Sequence, residues 1–74
     1  IVNTSSSIDH DCQIEDYAHI SPHCSLSGNI SVGKFTHLGT GTSVHPGIKI
    51  GQNVRTGIGS KIYKNISDNK IFKN

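Results

Sequence analysis

IDHDCQ IEDYAH ISPHCS LSGNIS VGKFTH LGTGTS V, the stretch from Ile8 to Val44 written in sixes, opens every six on an aliphatic residue. Extended in both directions, the same step runs Val2, Ile8, Ile14, Ile20, Leu26, Val32, Leu38, Val44, Ile50, Thr56 and Ile62, broken in kind only at Thr56. Two residues before the aliphatics lies a second series, Ser6, Cys12, Ala18, Cys24, Ile30, Thr36, Thr42, Ile48, Val54 and Ser60, dominated by small or β-branched side chains. A helix cannot use a six-residue step, because six turns of about 100° leave successive aliphatics on different faces. The alternation within each six instead suits very short strands, separated by turn-prone Gly, Asn, Asp and Ser. Strands so short, all pointing an aliphatic the same way, predict a parallel solenoid rather than a hairpin sheet. Three hexapeptides close one triangular coil of about 18 residues, giving about four coils.

Gly33, Gly39, Gly51 and Gly57 each follow the stepping position, and we expect them at corners that need an unusual backbone conformation. The phase is unbroken to Ile62, so residues 1–74 read as one β-helix domain with no inserted loop, and the tail from Tyr63 reads as a final turn and exit. A first residue Ile1 already close to the repeat suggests a piece of a longer chain. Apolar residues make up 32% of the sequence and aromatics 5%, too few for a core of large interlocking side chains, so the apolar residues must be used with regularity. A solenoid with open ends exposes strand edges and needs caps, neighbouring protein or self-association.

The net charge of +2 comes from scattered Lys and Arg, mildly in excess after residue 48, without the basic stripe of a nucleic-acid binder. No apolar run approaches a membrane span or a signal peptide, which makes a cytoplasmic protein the default expectation. Cys12 and Cys24 fall in the small interior series on different faces and read as buried free thiols.

Five histidines supply the candidate chemistry. His19 and His37 differ by one coil and should stack about 4.8 Å apart. His10 lies half a coil away, over Gly28, so His10 and His19 cannot meet within one chain. A site using both must lie between two prisms. Asp9 and Asp11 flank His10, and a carboxylate partner would orient the imidazole and raise its basicity, as a general base requires. A solvated corner sequence accounts for the same residues. Gly28 could offer an unobstructed backbone N–H to the oxygen of a tetrahedral intermediate, or be simply a turn glycine.

Asn3-Thr4-Ser5, Ile8-Asp9-His10-Asp11-Cys12, His19-Ile20-Ser21-Pro22 and Leu26-Ser27-Gly28-Asn29, in this order and at these separations, resemble the PglD/NeuD-like sugar acetyltransferases of the hexapeptide-repeat superfamily. That resemblance implies a left-handed parallel β-helix assembled as a homotrimer, with acetyl-CoA in the groove between adjacent prisms. By matching motif positions it implies His10 as general base, Asp11 as the carboxylate that raises its basicity, and Gly28 as the backbone donor to the thioester carbonyl. It also implies coenzyme contacts at His19, Gly28, Thr40 and Ile58, and an acceptor contact at Asn3. In the family a nucleotide-sugar-binding domain precedes the helix and a further segment follows it. His37 and His45 stand where the family usually has an aromatic or aliphatic residue, and Ile58 where it often has Gly or Ala.

The expected reaction is N-acetylation of a nucleotide-linked amino sugar. O-acetylation of a sialic-acid-like sugar is the nearest alternative, and a noncatalytic trimerising scaffold is the alternative from another class. Zinc-binding β-helix carbonic anhydrases also use intersubunit histidines. Their His-x4-His spacing is absent here, His19 and His23 being separated by three residues, so no metal is expected.

Overall fold

Two-residue strands recurring every six residues build the chain, for which a computed structural model describes residues 6–73. The strands are β1 (Ser7–Ile8), β2 (Gln13–Ile14), β3 (His19–Ile20), β4 (Ser25–Leu26), β5 (Ser31–Val32), β6 (His37–Leu38), β7 (Ser43–Val44), β8 (Lys49–Ile50), β9 (Arg55–Thr56), β10 (Lys61–Ile62) and β11 (Ile71–Phe72). From β1 to β10 each strand pairs in parallel with strands three away, and β11 pairs with β9, giving the sheets β1-β4-β7-β10, β2-β5-β8 and β3-β6-β9-β11. The register is 18 residues through most of the molecule: Ser7 faces Ser25, Gln13 faces Ser31, and His19 faces His37. This is the all-β solenoid of about four coils that the hexapeptide step predicts.

Both periodic series point inward. Ile20, Leu26, Val32, Leu38, Val44 and Ile62 are buried, as are Ala18, Cys24, Ile30, Thr36, Thr42, Val54 and Ser60. The small series has a second task that its size does not reveal. Ser6 Oγ donates to Ser21 O (2.7 Å), Cys12 Sγ to Ser27 O (3.1 Å), Cys24 Sγ to Gly39 O (3.2 Å) and Thr36 Oγ1 to Gly51 O (2.6 Å). The repeated offset of 15 residues takes each donor to a carbonyl beside the next coil's corner, so polar groups at the wall are satisfied from inside. Cys12 and Cys24 are free thiols, half-buried and buried respectively.

The corners correct the expectation for the glycines. Left-handed backbone falls at Asp11, Tyr17, His23, Asn29, Phe35, Gly41, Gly47, Asn53 and Gly59, three residues after the stepping position rather than one, and again at Asn69 in the last coil. Gly33, Gly39, Gly51 and Gly57 serve spacing instead. A Cβ on Gly33 would stand 2.5 Å from Gln52 N, and one on Gly39 would stand 2.7 Å from Thr56 O. Absence of a side chain there lets one coil settle on the next, whereas the left-handed corners accept even Tyr17 and Phe35, whose exposed rings stack with centroids 5.3 Å apart.

The tail is the other correction, because residues after Tyr63 continue the solenoid. Ile71 pairs with Arg55, and Ile66 bridges Ile50, each 16 residues apart rather than 18. The shortened coil misaligns two ladder amides, and side chains serve them: Lys49 N–H donates to Asn65 Oδ1 (2.8 Å) and Gln52 N–H to Asp68 Oδ1 (3.0 Å). Asn and Asp carry an acceptor on a short arm, which is what the missing two residues require.

Candidate functional site

His10 occupies the first corner after β1, and its conformation is set locally. Asp9 Oδ1 accepts from the His10 backbone N–H (2.8 Å) and from Nδ1–H of the ring (3.0 Å). Those bonds and the adjacent imidazole hold the Asp9 carboxyl below the usual carboxylate range, so it is ionised at neutral pH. An acceptor at Nδ1 selects the tautomer that leaves the Nε2 lone pair open. The carboxylate on the ring is therefore Asp9, whereas the expected partner, Asp11, takes the left-handed corner (φ 58°) and makes no hydrogen bond to His10. The one-residue difference arises because Asp9 reaches the N–H and Nδ1–H of the residue directly after it, a local closure that motif matching alone does not reveal.

One coil above, Gly28 lies against the same ring. A Cβ at Gly28 would stand 3.2 Å from His10 Cε1 and 3.3 Å from Nε2, so the bare glycine gives the imidazole its seat. The neighbouring amides belong to the corner ladder, Asn29 N–H donating to His10 O (3.3 Å) and Gly47 N–H to Gly28 O (3.0 Å). Among the described residues nothing accepts from the Gly28 N–H, although Gly28 is buried. An amide without an acceptor is uncommon, and here the residue that carries it packs against the His10 ring. A base and an unspent N–H donor side by side can deprotonate a nucleophile and receive a developing oxyanion.

The remaining candidates lie elsewhere on the prism. His19 and His37 stack through the β3–β6 pairing, with ring centroids 4.6 Å apart and planes inclined by 34°. Thr40 and Ile58 are exposed at another corner, joined one coil apart by Gly59 N–H donating to Thr40 O (2.7 Å). His10 and Gly28 thus share one corner, His19 lies on the β3-β6-β9-β11 face, and Thr40 and Ile58 share a second corner. Asn3 lies outside the described residues.

From the sequence His37 reads only as a stacked histidine, and the structure gives it further partners. Its Nε2 shares a hydrogen bond with Ser21 Oγ (3.0 Å), and its strand partner on the next coil is Arg55. Burial, then the nearby His19 and Arg55, hold its imidazole below the ordinary value of about 6.5. As pH falls through that value, the unfolded chain binds a proton that the folded chain refuses. This contribution to stability is therefore complete above about pH 6.5 and declines below it. Urea midpoints should fall between about pH 7.5 and pH 5.5, and His37→Gln should shrink the difference. An equal difference in the variant would rule out His37 as its source.

Comparison with known proteins adds chemistry to this arrangement. No family model matches the chain. Among solved structures it is similar to the acetyltransferase domain of PglB from Neisseria gonorrhoeae FA1090 in complex with acetyl coenzyme A, with TM-score 0.97 and 36% identity over 99% of this chain and 36% of that one. It is also similar to a mutant perosamine N-acetyltransferase from Caulobacter crescentus in complex with CoA and GDP-perosamine, with TM-score 0.96 and 32% identity over 97% of this chain and 34% of that one. The chain spans about a third of the length of each of these proteins.

Proposed function

From a β-helix shared in fold and sequence with sugar acetyltransferases, we propose that this chain is the acyl-transfer domain of an acetyl-CoA-dependent N-acetyltransferase acting on a nucleotide-linked amino sugar. The observation that carries the reading is the open Nε2 of His10 beside the unspent N–H of Gly28. The acceptor amine attacks the thioester carbon and loses a proton to His10 Nε2, while the carbonyl oxygen, now negative, takes the Gly28 N–H. Collapse of the tetrahedral species breaks the carbon–sulfur bond, and the departing thiolate recovers the proton from His10. Asp9 keeps Nδ1–H in place and stabilises the imidazolium between the two transfers. His19, Thr40 and Ile58, on another face and corner, would contact the coenzyme from a neighbouring protomer of a homotrimer, because they cannot reach His10 of their own chain. The free thiols fit a cytoplasmic location.

The direct test is release of CoA from acetyl-CoA by the full-length protein, dependent on an added nucleotide-linked amino sugar. Failure across a panel of amino and hydroxyl acceptors, by an intact oligomer, would leave the scaffold reading. Within an active enzyme, Gly28→Ala is expected to separate catalysis from folding. Its backbone is outside the left-handed region, and the added methyl presses only on the exposed His10 ring, which must move by a few tenths of an ångström, its 3.7 Å approach to His10 O being ordinary contact. Stability should change by less than about 1 kcal/mol, while kcat/KM falls about 10- to 100-fold through misplacement of the base. Unaltered kinetics would remove the seat of the imidazole from the mechanism.

A further inference from the structure

The Gly28 N–H shares a peptide unit with the carbonyl of Ser27. That carbonyl accepts a hydrogen bond from Cys12 Sγ (3.1 Å), and Cys12 belongs to the small inward series packed against the core. The peptide is trans, so its N–H points opposite to its C=O. A carbonyl turned inward to Cys12 therefore sends the Gly28 N–H away from the core. The flanking amides are tied to neighbouring coils, Ser27 N–H to Val44 O (3.2 Å) and Asn29 N–H to His10 O (3.3 Å). Among the described residues the Cys12 thiol makes the one hydrogen bond to the peptide between them.

The chain contains the same device with an acceptor in place. At another corner Thr36 Oγ1 donates from inside to Gly51 O (2.6 Å), and the N–H of the same peptide, carried by Gln52, donates to Asp68 Oδ1 (3.0 Å). A clamped carbonyl and an N–H spent on a carboxylate oxygen thus occur on one peptide. A donor at the C=O also draws electron density across the amide and makes its N–H the better donor, because hydrogen bonds in a chain polarise one another. At Gly28 no carboxylate takes the N–H among the described residues, which leaves it for a transient charge.

We propose that Cys12 is a positioning residue for acyl transfer, its thiol holding the Ser27–Gly28 peptide so that the Gly28 N–H meets the oxyanion of the tetrahedral species. This rests on the acetyltransferase reading and adds to it a residue behind the wall that touches neither substrate. Glycine at 28 makes the support necessary. Without a Cβ its φ is loosely restrained, so a peptide that loses its one hydrogen bond can tilt between its two anchored neighbours. The N–H gains its charged partner only once the thioester carbonyl has become tetrahedral, so the clamp acts on kcat and leaves ground-state binding of the donor unchanged.

The test replaces Cys12 in the full-length enzyme, assayed by release of CoA from acetyl-CoA with its best nucleotide-linked amino sugar as acceptor. The chain itself shows that both replacements fit, since Ser6 fills the same inward series with a donor, to Ser21 O (2.7 Å), and buried Ala18 fills it with a bare methyl. Cys12→Ala should lower kcat about tenfold, part of the loss that follows outright removal of an oxyanion donor, with KM for acetyl-CoA unchanged. Cys12→Ser, which keeps a donor on the same arm, should restore most of that loss. Thr36→Val is the control, because it cuts the equivalent bond to Gly51 O at a different corner and should lower the urea midpoint while leaving kcat unaltered. Full kcat in Cys12→Ala, or equal losses in the alanine and serine variants, overturns the proposal. A loss of kcat in Thr36→Val as large as that in Cys12→Ala also overturns it, since general loosening of the prism would then be the cause. Transfer to no acceptor by the unaltered enzyme sinks the acetyltransferase reading itself, and this inference with it.

Discussion

Substituting His10 by asparagine should lower kcat for acetyl transfer by about 10²- to 10⁴-fold, the range over which a positioned general base contributes. The fold should not notice. The side chain is 71% exposed, its ring bonds only to Asp9, and it rests on Gly28 without entering the core. Asparagine keeps a polar group of similar reach at the corner and lacks a basic nitrogen, so the thermal transition should stay within the narrow band typical of surface changes. The comparison of Asp9→Asn with Asp11→Asn then identifies the supporting carboxylate. The hydrogen bonds of Asp9 to both His10 donors lead us to expect the larger loss of kcat from Asp9→Asn. A fully active His10→Asn enzyme would exclude the imidazole as base and return the corner to a structural role.

The largest effect on stability is expected from Gly33→Ala, at about 3 kcal/mol, the upper part of the range for overpacking. A Cβ there would lie 2.5 Å from Gln52 N, 2.6 Å from Gly51 C and 2.7 Å from Gly51 O, all of them backbone atoms. Neither coil is free to retreat. Gly33 N–H is bound to Ile50 O (2.9 Å), Gly51 N–H to Ile66 O (2.8 Å), and Gln52 N–H to Asp68 Oδ1 (3.0 Å). Gly47→Ala is the matched control, because its Cβ meets nothing within 4 Å and only its positive φ of 77° resists a side chain. That strain costs about 1 kcal/mol. Urea unfolding of the two variants should separate them clearly. Equal losses would mean that backbone conformation, not close approach, is what these glycines provide.

That contrast also shows where reading the sequence stops. The inward step from Ile8 to Ile62, the stacking of His19 on His37 and the placement of His10 over Gly28 all follow from counting, because a parallel coil turns sequence distance into height. Counting locates a residue but not the torsion it adopts. Glycine after the stepping position therefore suggested a strained corner, whereas the left-handed positions carry Asp11, Tyr17, His23, Asn29 and Phe35, residues with no common signature beyond their spacing. The choice between Asp9 and Asp11 depends on which carboxylate can close onto the next residue's donors, a matter of local angles. The last coil escaped because its two-residue deficit breaks the count and is repaired by the side chains of Asn65 and Asp68.

The 18-residue register has a consequence for how such a chain can change length. Excision of one whole coil would lower the prism by a storey and leave every remaining side chain on its original face. Excision of a single hexapeptide would preserve the inward pattern equally well, yet turn everything beyond it by one face. The core would survive that edit, and the corner joining His10 to Gly28 would be dismantled. Stability and site geometry therefore read the chain with different rulers, one of six residues and one of eighteen.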